Sequence, residues 1–148
     1  MKKIFIACPI SKYIDGNNFI NNDFKFFIEN MYETCQKFAP EVFLALRREE
    51  YGEKLMTNVC TELDFNEMNT TDLVVAIPDD SMGVAIELGW ASCMKKKIIL
   101  IINKNQRYTP LITGLKDITN TEIIWYNGQL NNEILFEVEK IVNKLSKD

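Results

Sequence analysis

The chain has 148 residues, 47% hydrophobic and 26% charged, with a formal net charge of -4 and a pI of about 5.0. That suits one domain with one sizeable core, and the acidic balance gives no electrostatic reason to expect a nucleic acid polymer or an anionic membrane as partner. With no histidine in the chain, Ser-His-Asp and Cys-His catalysis, HExxH metal sites and a histidine base are excluded, and acid–base or nucleophilic work falls to carboxylates, Lys, Tyr, Cys or backbone dipoles.

In chain order, Lys2 to Cys8 reads as a short buried strand rather than a leader, because MKKIFIACPIS lacks a long apolar stretch and a small-residue cleavage site. Asn17 to Lys37 carries Phe19, Ile20, Phe24, Phe27, Ile28, Met31 and Cys35 at helical spacing. Glu41 to Leu46 predicts a second strand. Glu53 to Asn69 predicts a helix with Met56, Val59, Cys60 and Leu63 inward, at i, i+3, i+4 and i+7. Asp72 to Ile77 is a β-branched run, hence a third, buried strand. Gly83 to Met94 predicts a helix, Lys97 to Ile102 (KIILII) a fourth strand, and Tyr108 to Leu115 a short helix or ordered loop. Thr121 to Tyr126 predicts a fifth strand and Leu130 to Leu145 a closing helix. No apolar run reaches membrane-spanning length. The four cysteines, Cys8, Cys35, Cys60 and Cys93, form no CxxC pair, which speaks against zinc and for a reduced, cytoplasmic protein.

Strands that are nearly all apolar, alternating with helices, predict a parallel sheet covered on both faces. The expected architecture is one α/β domain over 1–148, a flavodoxin-like three-layer sandwich with a five-stranded parallel sheet in the order 2-1-3-4-5. Ligands in such sheets sit beyond the strand carboxyl ends, at the switch point between strands 1 and 3. Two loops leave those ends: Cys8-Pro9-Ile10-Ser11-Lys12 and Pro78-Asp79-Asp80-Ser81-Met82-Gly83.

One residue stands out against this background. Glu87 lies in the apolar run SMGVAIELGWASC, Ser81 to Cys93, sharing a helical face with Gly83, Val84, Ala91 and Met94, and no Lys or Arg stands at i±3 or i±4. Burying a carboxylate without a partner is costly. Either it meets the helix dipole or a distant cation, or it is a desolvated nucleophile for an electrophilic sugar carbon, as in glycosidases. Asp64, near the end of a helix, reads from its position alone as a solvated surface acid. Asp72 suits structural work at a helix-to-strand turn, and one of Asp79 and Asp80 suits capping the next helix. Ser81 with Gly83 is either an N-cap and tight turn or an anion site at a helix N-terminus, and the residues leave both open. The same holds for Ser11 and Lys12. Arg47 and Arg48, at the end of strand 2, are either a solvated pair or guanidinium groups reaching a ligand phosphate or base.

The segment ELDFNEMNTTDLVVAIPDDSMGVAIELGWASCMKKKIILII resembles the nucleoside 2-deoxyribosyltransferase superfamily. Its hallmarks are an Asp, a second Asp eight residues on, a Gly-containing loop and G-x-x-x-E-x-G-x-A, matched in order by Asp64, Asp72, Gly83, Glu87, Gly89 and Ala91. Six residues before the nucleophilic Glu, the nucleoside transferases typically carry an Asp for the free 5'-hydroxyl, whereas the nucleoside 5'-monophosphate N-glycosidases carry a Ser for the 5'-phosphate. Here it is Ser81. The pieces ACPISKYIDG, LRREEYGEKL, VAIELGWASCMKKKIILII, YTPLITGL and EIIWYNG extend the likeness, over most of the chain, to the CMP and hydroxymethyl-CMP N-glycosidases of peptidyl-nucleoside antibiotic pathways.

The resemblance implies hydrolysis of a pyrimidine nucleoside 5'-monophosphate, most of all CMP, to free base and ribose 5-phosphate, with no metal or organic cofactor. Glu87 would be the nucleophile at C1' and Asp64 would assist positioning or proton transfer. Ser81 and Gly83, with the loop around Pro9, Ile10 and Ser11, would hold the phosphate, and Cys8, Arg47, Arg48 and Asp72 would also bind the substrate. Thr109 matches a hydroxyl that relatives offer from the neighbouring subunit, which implies a homodimer with a shared site. Two departures are visible. Relatives have a Gly-Pro-Phe-Arg or Gly-Ser-Ile-Arg type loop where this chain has Cys8-Pro9-Ile10-Ser11, and some have a His where this chain has Leu46. The rival readings are a base-exchanging deoxyribosyltransferase and a non-catalytic nucleotide sensor.

Overall fold

A computed structural model describes residues 1–147. Its sheet strands are β1 (Lys3–Ala7), β4 (Glu41–Leu44), β5 (Leu73–Ala76), β6 (Lys97–Asn103) and β7 (Thr121–Tyr126), and a small hairpin pairs β2 (Ile14–Asp15) with β3 (Asn18–Phe19). The helices are α1 (Asn22–Gln36), α2 (Ala45–Arg48), α3 (Cys60–Thr70), α4 (Met82–Cys93), α5 (Pro110–Thr113) and α6 (Asn132–Leu145). All main-sheet pairings are parallel, in the order β4-β1-β5-β6-β7. Numbered within the sheet alone, that is the expected 2-1-3-4-5.

The two-residue period of the strands sorts the core into two layers. Ile4, Ile6, Leu73, Val75, Ile99 and Ile101 pack against Phe24, Phe27, Ile28 and Met31 of α1 and Ile134, Val138 and Val142 of α6. The alternate residues Phe5, Ala7, Val74, Ala76, Ile98 and Leu100 pack against Met68 of α3 and Val84, Leu88 and Ala91 of α4. No helix among the described residues is long and apolar enough to cross a membrane.

Several expected elements shift. The first helix starts at Asn22 rather than Asn17, because Gly16 turns with φ +61 into the β2–β3 hairpin and the Asn21 side chain then caps the Phe24 N–H at 2.9 Å. The third helix starts at Cys60 rather than Glu53. In 49–59 the Glu49 carbonyl accepts from the Gly52 and Lys54 N–H groups, its carboxylate accepts from the Met56 N–H, and Val59 is left-handed. Val59 and Leu63, expected inward, face outward, and Met68 supplies the core contact of α3. Strand 2 ends at Leu44, and the Arg pair rides on the helical turn α2.

Candidate active site

At the carboxyl edge of β1 and β5 the two outgoing loops meet the connection between α2 and α3. Helices α3 and α4 stand side by side there, with the Phe65 and Trp90 rings edge-on at 5.3 Å. Between them lies a cleft of about 270 Å³, into which Arg48, Asp64 and Glu87 all project. Glu87 is half-buried and makes no hydrogen bond or ion pair among the described residues, so the lone carboxyl expected from sequence is a feature of the folded chain. Burial first, then the neighbouring Asp64 carboxylate, push it up to about 8, against a smaller downward pull from Arg48. Glu87 is the sixth residue of α4, beyond the first turn where the helix dipole acts most strongly, so desolvation prevails over the ionising effect expected of the helix N-terminus.

Asp64, one helix away, is fixed by a hydrogen-bonded ion pair with Arg48 Nη1. The site therefore holds two carboxyl groups in different surroundings: one paired with a cation, one desolvated and predominantly neutral at pH 7. Such separation lets one group act as nucleophile while its neighbour handles a proton. The Arg48 guanidinium is not fully used. Its Nη2 stands 3.8 Å from Glu49 Oε2, and its Nε is the one buried side-chain nitrogen or oxygen among the described residues with no hydrogen-bond partner. An orphaned donor of that kind costs about 1–3 kcal/mol.

Ser81 N-caps α4, its Oγ accepting from the Val84 N–H at 3.3 Å. It also lines a second recess with Pro9, Ser11 and Gly83, and this recess adjoins the Glu87 cleft, since Ile10, Ser11, Ser81 and Gly83 line both. A Cβ built on Gly83 would meet only Ser81 Oγ, at 3.7 Å, so packing does not demand the glycine; its effect is to leave the first turn of α4 open. Lys12 ties the two loops together across the mouth, paired with Asp79 and 3.5 Å from Asp80. Cys8 closes the floor of the cleft, and burial, then the Glu87 carboxyl, push its thiol far up, so it is not a reactive thiolate.

The expected site residues do not all gather here. Asp64, Glu87, Ser81, Gly83, Arg48, Cys8, Ile10 and Ser11 line the cleft, and Pro9 lines the adjoining recess. Arg47 turns away: its Nε is 3.5 Å from Glu29 and its guanidinium lies 4.1 Å over the Tyr32 ring, both on α1. On a helical turn successive side chains diverge by about 100°, so the pair is split between two faces. Asp72 stands at the opposite, amino-terminal edge of the sheet, where its Oδ2 accepts from the Lys2 and Lys3 N–H groups at 2.6 and 3.0 Å and staples β5 to β1. Thr109 N-caps α5 and lines a third recess with Asp80, Ser81 and Met82, outside the Glu87 cleft. Glu49, Leu55, Met56 and Cys60 also line the cleft and were not picked out from sequence. The motif RREEYG contains Glu49, but only its burial, 4% exposed, singles it out.

A family model described as nucleoside 2-deoxyribosyltransferase matches residues 13–144. Among solved structures, the chain is similar to the Clostridium botulinum CMP N-glycosidase BcmB, at 30% identity and a TM-score of 0.72 over 95% of this chain and 99% of that one. It is also similar to BlsM, at 28% identity and a TM-score of 0.79 over 97% of this chain and 90% of that one. No curated protein matches it.

Proposed function

The chain belongs to the nucleoside 2-deoxyribosyltransferase family, and from that premise we propose that it hydrolyses the N-glycosidic bond of a pyrimidine nucleoside 5'-monophosphate, with CMP as the preferred substrate. The observation that carries this reading is the unpaired Glu87 carboxyl beside Asp64, in a cleft that Ser81 and Gly83 of a serine-capped helix N-terminus also line. A helix N-terminus with free N–H groups receives a phosphate well. A carboxylate in the Ser81 position would repel it. The similarity to BcmB, a CMP N-glycosidase, supports the choice of base and reaction.

In this mechanism the 5'-phosphate rests on the strand-1 loop and the α4 N-terminus, which brings C1' to Glu87. Glu87 first gives up its proton to solvent and reacts as the carboxylate, with Asp64 beside it to position the sugar. The Glu87 carboxylate then bonds to C1', and the C1'–N1 pair leaves with cytosine, which is protonated by water. A water molecule cleaves the glycosyl ester, releasing ribose 5-phosphate and restoring Glu87. The test is chromatography of CMP, dCMP, UMP and cytidine after incubation with the protein and with Glu87→Ala. Free cytosine from CMP, none from cytidine and none with the variant is the expected result. Turnover by Glu87→Ala would remove the nucleophile assignment.

Base exchange between nucleosides is the second reading, favoured by the family description and by two carboxylates, Asp79 and Asp80, beside the recess. Release of base only when an acceptor base is added would establish it.

The same reading includes a homodimer in the cytoplasm with a shared site. Along the outer face of α4, Met82 and Ile86 are 84% and 54% exposed, and a Cβ at Gly89 would meet nothing within 4 Å. Val59, just before α3, and Leu63 of α3 are exposed as well. A second copy laid on this face would cover the apolar stripe next to the recess that holds Thr109.

A further inference from the structure

We propose that Glu49 reads the exocyclic amino group of the base, so that the cleft selects a 4-aminopyrimidine over a 4-oxopyrimidine. This rests on the nucleotide-hydrolase reading and adds a specificity residue to it. With the phosphate in the Ser81 recess and C1' at Glu87, the base extends toward the part of the cleft lined by Arg48, Glu49, Leu55 and Met56. Leu55 and Met56 offer apolar surface to the ring faces. Glu49 and Arg48 are polar groups at that end, with Asp64 held there by its ion pair to Arg48.

Glu49 is 4% exposed, and burying a carboxyl group needs a reason. One oxygen has a structural role, since Oε1 accepts from the Met56 N–H at 2.7 Å and holds the 49–59 connection. An amide would do that equally well. The other oxygen, Oε2, accepts no hydrogen bond among the described residues, and the nearest cationic nitrogen, Arg48 Nη2, is 3.8 Å away. The Arg48 Nε–H of the same guanidinium is buried and has no partner. Glu49 Oε2 is thus a spare acceptor. Cytosine is the complement, with an amino donor at position 4 and acceptors at N3 and O2. Uracil inverts the pattern at positions 4 and 3 and would set O4 against the carboxylate.

The surrounding backbone keeps the reader in place. Glu50 and Tyr51 are left-handed, with φ 48 and 54, a conformation non-glycine residues hold only when the surroundings fix it. Here the Glu49 carbonyl takes two N–H groups at 3.0 Å, the Tyr51 hydroxyl is pinned to Glu29, and Lys25 sits 4.3 Å over the Tyr51 ring.

The experiment measures kcat/KM for CMP, UMP and the 5'-monophosphate of pyrimidin-2-one riboside, which lacks the 4-substituent, with the wild-type protein and with Glu49→Gln. The glutamine keeps an acceptor for the Met56 N–H and can donate to O4. The CMP:UMP preference should fall about tenfold or more in Glu49→Gln, in keeping with the loss of one charged hydrogen bond. Removing the 4-amino group should cost the wild-type protein activity and cost the variant little. Affinities for CMP and UMP are measured in parallel by calorimetry on Glu87→Ala and on the Glu49→Gln, Glu87→Ala double variant. An unchanged CMP:UMP preference in Glu49→Gln, or no preference in the wild type, overturns the role of Glu49 while hydrolysis stands. If no nucleotide is hydrolysed yet CMP binds in preference to UMP only when Glu49 is present, the base-reading role stands and the hydrolase reading falls. Failure of both nucleotides to bind overturns both.

Discussion

At the residue scale, the Glu87 carboxyl makes pH a direct lever on activity and on stability. The nucleophile is the ionised form, and the free group titrates at about 8. The kcat/KM for CMP should therefore climb from pH 6 and level off above about pH 8. Asp64 raises that value and Arg48 lowers it. Asp64→Asn should move the inflection to lower pH and Arg48→Gln to higher pH, whatever each does to the plateau. An inflection indifferent to both changes would mean that another group is being titrated. Stability follows with a definite sign. The folded state raises Glu87 above its ordinary 4.5, so its contribution to stability is fully present below about pH 4.5 and is lost as pH rises through about 8. Glu87→Gln removes that loss. Its Tm should match the wild type near pH 4 and exceed it by about 4 °C or more at pH 9. A variant destabilised at both pH values would instead place Glu87 in a structural pairing.

At the scale of the element, the N-terminus of α4 carries two duties that one substitution can separate. Asp caps a helix about as well as Ser, and the Val84 N–H that the Ser81 hydroxyl now accepts would be accepted equally by an aspartate carboxylate. Ser81→Asp should leave Tm within about 2 °C of the wild type and lower kcat/KM for CMP far more than for cytidine, by about tenfold or more. An equal effect on both substrates would confine Ser81 to capping. The elements were readable where periodicity and burial coincide. The runs KIILII and DLVVAI could belong only to buried strands, and Glu87 announced itself by interrupting an apolar helix. Legibility failed where an apolar stripe faces outward. The i, i+3, i+4, i+7 pattern of Met56, Val59, Cys60 and Leu63 is real, yet Val59 and Leu63 lie on the surface and Met68 makes the core contact. Periodicity tells that a face is apolar, not which body covers it. It failed again at the Arg pair, since one turn of helix where a strand was expected sends Arg47 to α1 and Arg48 to Asp64. Asp72 fits the family spacing but performs its staple at the far edge of the sheet. Glu49 had no local signal, because its burial comes from the irregular 49–59 connection folding back around it, a path no periodicity marks.

At the scale of the whole molecule, the outward apolar stripe of α4 is the feature the single chain leaves unexplained. Met82, Ile86, Gly89 and Cys93 follow one another at helical spacing, all exposed, on the element that carries both Ser81 and Glu87. An isolated domain gains nothing from such a face, whereas a two-fold dimer buries it twice over, and the glycine lets two helices approach closely. A dimer built there would couple assembly to chemistry, because anything that shifts α4 shifts the phosphate site and the nucleophile together. Ile86→Glu should therefore convert the protein to monomer in light scattering and lower kcat/KM for CMP, while the fold, read by circular dichroism, stays. A variant that remained dimeric would move the interface elsewhere. Sharing of the site has its own test. Glu87→Ala and Thr109→Ala proteins, each with little activity alone, are unfolded together and refolded as a mixture. If the Thr109 hydroxyl serves the partner's cleft, random pairing restores about a quarter of the intact sites, because half the dimers are mixed and each of those holds one complete site. If Thr109 serves its own chain's cleft, each mixed dimer carries one defect per site and no activity returns.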